Sequence, residues 1–138
     1  MHKGLLRAGA LVSALSVILG AFGAHALKGT LLPEQLATFE TGVRYHFYHA
    51  FAILLVDLLV HFRKNNLLLA AGWLFIAGII CFSGSLYALS LRGMMSPSVS
   101  VSWLGPVTPL GGAFFVFGWG TLFLSSFFAA AKGSNREK

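Results

Sequence analysis

Four long apolar stretches make up most of this 138-residue chain and limit what it can fold into. A helix needs about 20 mainly apolar residues to cross the hydrocarbon core of a bilayer. The remaining residues suffice only for connections, so a separate soluble catalytic domain has no room. The sequence therefore predicts an all-α integral membrane protein, a single domain over residues 1–138 with four transmembrane helices in an antiparallel bundle. The predicted spans cover residues 5–27, 45–62, 67–91 and 109–131.

The charged residues give this bundle a direction. They make up 10% of the chain, whereas a soluble domain carries about 25%. Lysine and arginine concentrate on the cytoplasmic side of membrane proteins. Most of the basic residues here fall on one side of a four-span arrangement, which predicts cytoplasmic termini rather than a nucleic-acid-binding patch. The residues on that side are Lys3, Arg7, Arg63, Lys64, Lys132, Arg136 and Lys138.

The start of the chain also has features of a secretory signal. A basic segment precedes an apolar stretch, and Ala24-His25-Ala26 has the small-x-small form of a cleavage site. The apolar stretch is longer than an ordinary signal core, so we expect a retained first span.

Small residues indicate where the spans approach one another, because close packing replaces the hydrophobic effect between helices in lipid. The predicted packing positions are Gly20, Gly23, Gly84, Gly111 and Gly112.

Residues 33–44 are predicted to form an amphipathic helix at the outer interface, leading into the second span. Pro33 suits the first turn of a helix. Apolar residues then recur at steps of three and four, which is the helical period. We expect this helix to be continuous with the second span or bent near Gly42. The recurring residues are Leu36, Phe39, Val43 and Phe47.

Polar residues from all four spans are predicted to meet at a similar depth in the outer leaflet. Polar groups within spans are costly, so each needs an explanation. Three interpretations stay open: hydrogen bonds that hold the helices together, a small-molecule or ion site, or metal or haem ligation by His25 and His49. The candidate cluster consists of His25, Tyr45, His49, Ser83, Ser85, Tyr87 and Thr108.

Asp57 is the acidic residue placed well inside a span, and His61 lies one turn further along. At this spacing the two side chains can touch. Asp57 is either one member of a proton-relay pair with His61 or a carboxylate that reaches toward the inner headgroups. Its inner position favours the second interpretation. The chain has no phosphate-binding loop, paired catalytic carboxylates or Cys/His cluster, so no catalytic residue, metal or cofactor is predicted.

Four segments in chain order resemble the signatures of a family of small membrane proteins, domain-of-unknown-function family 423. The family includes bacterial inner-membrane proteins and a mitochondrial relative in animals, and it commonly has glutamine where His46 stands. The resemblance implies a multi-pass protein of the bacterial inner membrane and brings no activity, substrate or cofactor. The segments are Gly20–Leu27, Tyr45–Ala50, Phe82–Tyr87 and Leu104–Gly112, the last continuing to Gly118-Trp119.

We therefore expect a non-enzymatic accessory or assembly component of a larger membrane complex. Its contacts would be the lipid bilayer and other integral membrane proteins, or a second copy of itself. The alternative is a small transporter or a ligand- or cofactor-binding membrane protein that uses the outer-leaflet cluster.

The distribution of basic residues predicts that reporter fusions at residues 65 and 138 are active on the cytoplasmic side. Fusions at residues 30 and 100 should report the opposite side. Paired reporters, each active on only one side of the membrane, check this. An externally located C-terminus would contradict the topology.

Overall fold

The structure, a computed structural model, describes residues 3–63, 65–95 and 100–133. Within these ranges the chain forms helices and turns and no strand, which confirms the all-α fold. The α-helices are α1 (Lys3–Phe22), α2 (Pro33–Phe62), α3 (Asn66–Gly78), α4 (Gly84–Ser90) and α5 (Val107–Gly133). Two π-helical segments, Gly23–Leu27 and Ile79–Ser83, extend α1 and join α3 to α4, and short 3-10 turns occupy Arg92–Met94 and Ser102–Leu104.

Four helical stretches are long and apolar enough to cross a membrane: Gly4–Leu27, Pro33–Phe62, Asn66–Ser90 and Ser102–Phe128. Their contacts are antiparallel. In α1, for example, Gly9 approaches Leu54 near the end of α2, whereas Gly23 approaches Phe39 near its start. The second and third spans are the more buried pair, and the first and fourth flank them.

The amphipathic segment and the second span form one continuous helix, α2, of 30 residues. Pro33 occupies its first turn, and the Gln35 side chain accepts a hydrogen bond from the Leu32 backbone N–H at 3.1 Å. Gly42 is not a bend. It is buried, and a Cβ there would lie 2.8 Å from the Tyr87 ring. The missing side chain therefore makes room for a tyrosine of the third span.

The buried face of α2 differs from the predicted one. Phe39 is buried as expected, but Phe47 is exposed and Val43 is only half-buried. The buried residues instead repeat at steps of three and four, which is one side of a helix. They are Phe39, Gly42, His46, His49, Ile53, Val56 and Val60.

Glycines set the distance between the third span and α5. A Cβ on Gly111 would lie 2.7 Å from the Phe82 Cα, so only glycine lets the two backbones approach this closely. Gly118 faces the Phe75 ring in the same way. Gly112 lies at ordinary contact distance, 3.8 Å from the Phe82 ring.

The packing role predicted for Gly84 is wrong. Gly84 is exposed, and no atom would lie within 4 Å of its Cβ. The physical reason is its position on α4, which turns this residue away from the neighbouring helices. Gly20 and Gly23 do approach α2, through Val43 and Phe39.

These glycines give a matched pair of variants. Gly111→Ala must displace the Phe82 backbone, so it should lower the free energy of unfolding by about 1–3 kcal/mol, the usual cost of overpacking. Gly84→Ala should be neutral or slightly stabilising, because alanine favours a helix by about 0.8–1.0 kcal/mol over glycine. Thermal melts in mild detergent followed by circular dichroism compare the two. Equal melting temperatures for both variants would show that the close approach is not needed.

Candidate functional site

His49 is bound through both of its ring nitrogens. Nδ1 lies 2.8 Å from the Tyr45 carbonyl oxygen one turn earlier, so it carries the proton and donates. Nε2 is then the acceptor, and the Trp119 indole N–H donates to it at 3.2 Å. This interhelical bond joins α2 to α5 and fixes His49 as a neutral imidazole.

Aromatic rings enclose the same imidazole. The Phe115 ring stacks on it with centroids 3.4 Å apart and planes 8° from parallel. Phe75 of the third span lies 5.6 Å away on centroids, and Tyr45 lies 6.1 Å away. His49 is 5% exposed, so neither nitrogen has an open approach.

His46 lies about one helical turn before His49. Its side chain bridges α2 to α4. Its Nδ1 is 3.1 Å from the Tyr87 hydroxyl. The Tyr87 ring packs over Phe39 and the bare backbone of Gly42, with a centroid distance of 4.9 Å to Phe39. The imidazole also lies beside the backbone of Val12 in α1. Its buried Nε2 has no hydrogen-bond partner among the residues that the structure describes.

Nearer the end of the bundle where α2 begins, hydroxyl groups join the third span to α5. The Ser85 and Thr108 hydroxyl oxygens are 2.7 Å apart, and Ser85 also lies 2.9 Å from the Phe82 carbonyl oxygen. Ser83 is fully buried, and its hydroxyl has no partner within the described part of the chain.

The structure thus brings six of the seven candidate residues into the contacts among α2, the third span and α5. Tyr45 takes part through its ring, 4.8 Å from Phe82 on centroids. His25 is the exception. Its side chain is exposed, and it makes no hydrogen bond to any described residue. Gly23 and Leu27, two residues away on either side, are buried, whereas Ala24, His25 and Ala26 are exposed, so His25 faces away from the bundle.

A haem held by His25 and His49 is therefore wrong. His25 faces outward, and His49 uses both nitrogens within the protein. Across residues 3–63, 65–95 and 100–133, no three His, Cys, Asp or Glu side chains converge as a metal site requires.

The two members of the predicted proton-relay pair have different surroundings. Asp57 is half-buried, whereas His61 is exposed with its ring edge-on to Phe62. The structure shows no hydrogen bond between Asp57 and His61. A relay needs its members within hydrogen-bond reach, so the arrangement does not support one.

Two residues that form interhelical hydrogen bonds in the interior were absent from the predicted cluster. They are His46 and Trp119. The spacing of α2 contained a signal for His46, because Phe39, Gly42, His46 and His49 follow one another at steps of three and four. Trp119 had no such signal, since many aromatic residues in the fourth span are equally placed to face lipid.

These features define a class: a small helical membrane protein with four spans, whose internal polar groups bond between helices. Residues 19–112 match the family described as "Protein of unknown function (DUF423)". The chain belongs to this family, and the resemblance seen in the four sequence segments is confirmed.

Relatives in several bacteria cover most of the chain. It is 44% identical over 112 residues to UPF0382 membrane protein YwdK of Bacillus subtilis, covering 80% of this chain and 85% of the relative. It is 40% identical over 119 residues to UPF0382 membrane protein SAB0533 of Staphylococcus aureus, covering 86% and 91%. The corresponding protein of Staphylococcus haemolyticus, SH2409, is 38% identical over the same shares. No solved structure matches the chain.

His49→Leu should destabilise the protein modestly, because it leaves the Trp119 N–H without an acceptor. Interhelical hydrogen bonds in membranes contribute about 0.6 kcal/mol on average and at most about 1.7 kcal/mol. His49→Gln should cost less, since glutamine retains a donor and an acceptor. Thermal melts in detergent compare the two variants.

A double-mutant cycle isolates the bond itself. His49→Leu combined with Trp119→Phe should cost less than the sum of the single variants, by about the strength of one interhelical bond. Strict additivity would show that the two side chains are not coupled. Loss of a bound species in His49→Gln alone would contradict the structural role.

Proposed function

We propose that this membrane protein is a non-enzymatic accessory or assembly component of a larger membrane complex. The observation that carries the proposal is an exposed face of small residues on α1. Small residues between helices permit the close backbone approach on which association in lipid depends. The face, here called the small face, consists of Ala10, Ala14, Val17, Ala21 and Ala24, all exposed.

The position of the small face on α1 supports a docking role. Each of its residues follows, by one position, a residue of the face that packs on α2, such as Gly9 or Gly20. The next face around the helix is bulky and exposed, with Leu11, Leu15 and Ile18. Bulky side chains suit acyl chains, whereas a surface of four alanines and one valine lets another helix approach closely.

The interior offers little to a transported substrate, which also supports the proposal. His49 is enclosed and fully bonded, and Ser85 pairs with Thr108. The alternative, a small transporter or ligand-binding protein, is supported by buried polar atoms that lack a partner among the described residues, the Ser83 hydroxyl among them. His46 Nε2 is buried without a partner among the described residues, and such a group is costly unless something bonds to it.

We further propose that the protein lies in the bacterial inner membrane with both termini in the cytoplasm. The sequence supports this orientation through its positive-inside pattern. Arg7 and Arg63 are exposed and lie at the same end of the antiparallel bundle. The bacterial relatives are named as membrane proteins, in keeping with this location.

A photo-crosslinking amino acid tests the small face in native membranes. Placed at Ala14, it should yield one defined adduct with another integral membrane protein or, at twice the mass, with a second copy. Placed at Ile18 on the adjacent bulky face, it should label lipid only. Ala14→Leu with Ala21→Leu should weaken the adduct about tenfold, since overpacking an interface costs about 1–3 kcal/mol.

Ile18→Leu is the matched control and should leave the adduct unchanged. Equal labelling from Ala14 and Ile18 would contradict the docking role. So would an adduct that persists in the double leucine variant. Mass spectrometry of the purified protein tests the alternative, because a non-lipid molecule that is lost in His46→Phe would favour ligand binding.

A further inference from the structure

An open groove of about 260 Å³ lies at the end of the bundle where α2 ends and α3 begins. Its floor is apolar and is formed by Leu59, Leu68 and Leu122 from three different helices. Its rim is polar and includes Arg63 and Ser126. The groove therefore combines an apolar floor with a cationic rim, a lining that is complementary to an amphiphilic molecule.

The depth of the groove matches the headgroup region. Arg63 is the first residue after the last turn of α2, and Asn66 begins α3 two residues after the connecting Lys64. Helix ends of transmembrane segments lie at the membrane interface. The rim therefore lies near lipid phosphates, while the leucine floor extends from it toward the acyl chains.

The polar side chains of the rim have distinct hydrogen-bonding roles. Asn65 forms a fixed wall, because its Oδ1 accepts from the Leu67 N–H at 2.9 Å and its Nδ2 donates to the Ser125 carbonyl. Ser126 donates its proton to the Phe123 carbonyl, so its oxygen is left to accept. Arg63 is exposed and supplies the donors of the rim.

The charge at this end favours an anion. Arg7 is exposed at the same end of the antiparallel bundle. Asp57, the acidic residue in the half of α2 nearer this end, is not among the residues that line the groove. The described lining of the groove therefore contains a guanidinium and no carboxylate. Guanidinium groups bind phosphate oxygens in a planar, bidentate geometry.

We propose that this groove binds one anionic phospholipid, with the phosphate at Arg63 and an acyl chain along Leu59, Leu68 and Leu122. Basic pockets between transmembrane helices bind lipid headgroups in this way. The Ser126 oxygen is placed to accept from a headgroup hydroxyl. This inference is independent of the proposed docking role of α1, which uses a different helix.

Native mass spectrometry of the purified protein tests the inference. The protein in nonionic detergent is mixed with phosphatidylglycerol or with phosphatidylcholine of the same acyl chains. We expect one phosphatidylglycerol per chain, retained in preference to phosphatidylcholine. Arg63→Gln should lower this retention about fivefold, because one basic residue near the surface contributes about 1 kcal/mol.

Two further variants locate the site. Arg44→Gln removes an exposed arginine from the opposite end and should leave retention unchanged. Ser126→Trp fills the groove from its exposed rim and should remove both lipids, while a thermal melt confirms that the variant is folded. Arg63→Gln should melt at the same temperature as the parent protein without added lipid.

Several results would overturn the inference. Equal retention of the two lipids would show that the charge of the headgroup does not determine binding. An equal loss in Arg44→Gln would show a diffuse attraction rather than a site. Full retention in folded Ser126→Trp would place the lipid elsewhere. Displacement of phosphatidylglycerol by equimolar inorganic phosphate would assign the site to a free anion.

Discussion

The approach of the α5 backbone to the third span is the constraint on which the rest of the bundle depends. In lipid no hydrophobic force draws helices together, so the distance at which they pack is set by the side chains between them. Gly111 removes that side chain where the two backbones meet. One turn earlier, Thr108 then reaches Ser85, and two turns later Trp119 reaches His49. These polar contacts are short because a glycine, and not a leucine, occupies the crossing.

The sequence predicted the fold well and the site only in part. The number of spans follows from length and hydropathy, since nothing else in a chain this apolar satisfies backbone hydrogen bonds across a bilayer. The site was predicted by depth along the spans, and depth alone does not say which way a side chain faces. His25 has the right depth and faces outward, whereas His46 faces inward on the stripe that begins at Phe39. A prediction that combined depth with position around the helix would have included His46 in the cluster and left His25 out.

The π-helical segments could not have been predicted from composition, but the structure shows how the sequence accommodates them. A π turn changes the hydrogen-bond spacing of the backbone and disturbs the regular pairing of carbonyl groups. In the first segment Thr30 donates to the Ala26 carbonyl at 3.2 Å, and in the second the Ser85 hydroxyl lies 2.9 Å from the Phe82 carbonyl. Each acceptor is the fourth residue of its five-residue segment. The first and third spans thus share a π-helical segment whose fourth carbonyl accepts a side-chain hydrogen bond, although the amino-acid sequences of the two segments differ.

The two inward histidines of α2 differ in a way that restricts where chemistry within the membrane can occur. His49 faces α5, and the indole of Trp119 and the ring of Phe115 complete its surroundings, so a ligand there would first have to break an interhelical bond. His46 faces α4 and the backbone of Val12, and its Nε2 is buried without a partner among the described residues. A buried nitrogen of this kind gains free energy from any water, ion or ligand atom that bonds to it. The Ser83 hydroxyl of the third span is buried without a described partner as well, so an interior ligand would gain more at His46 or Ser83 than at His49, whose two nitrogens are already bonded.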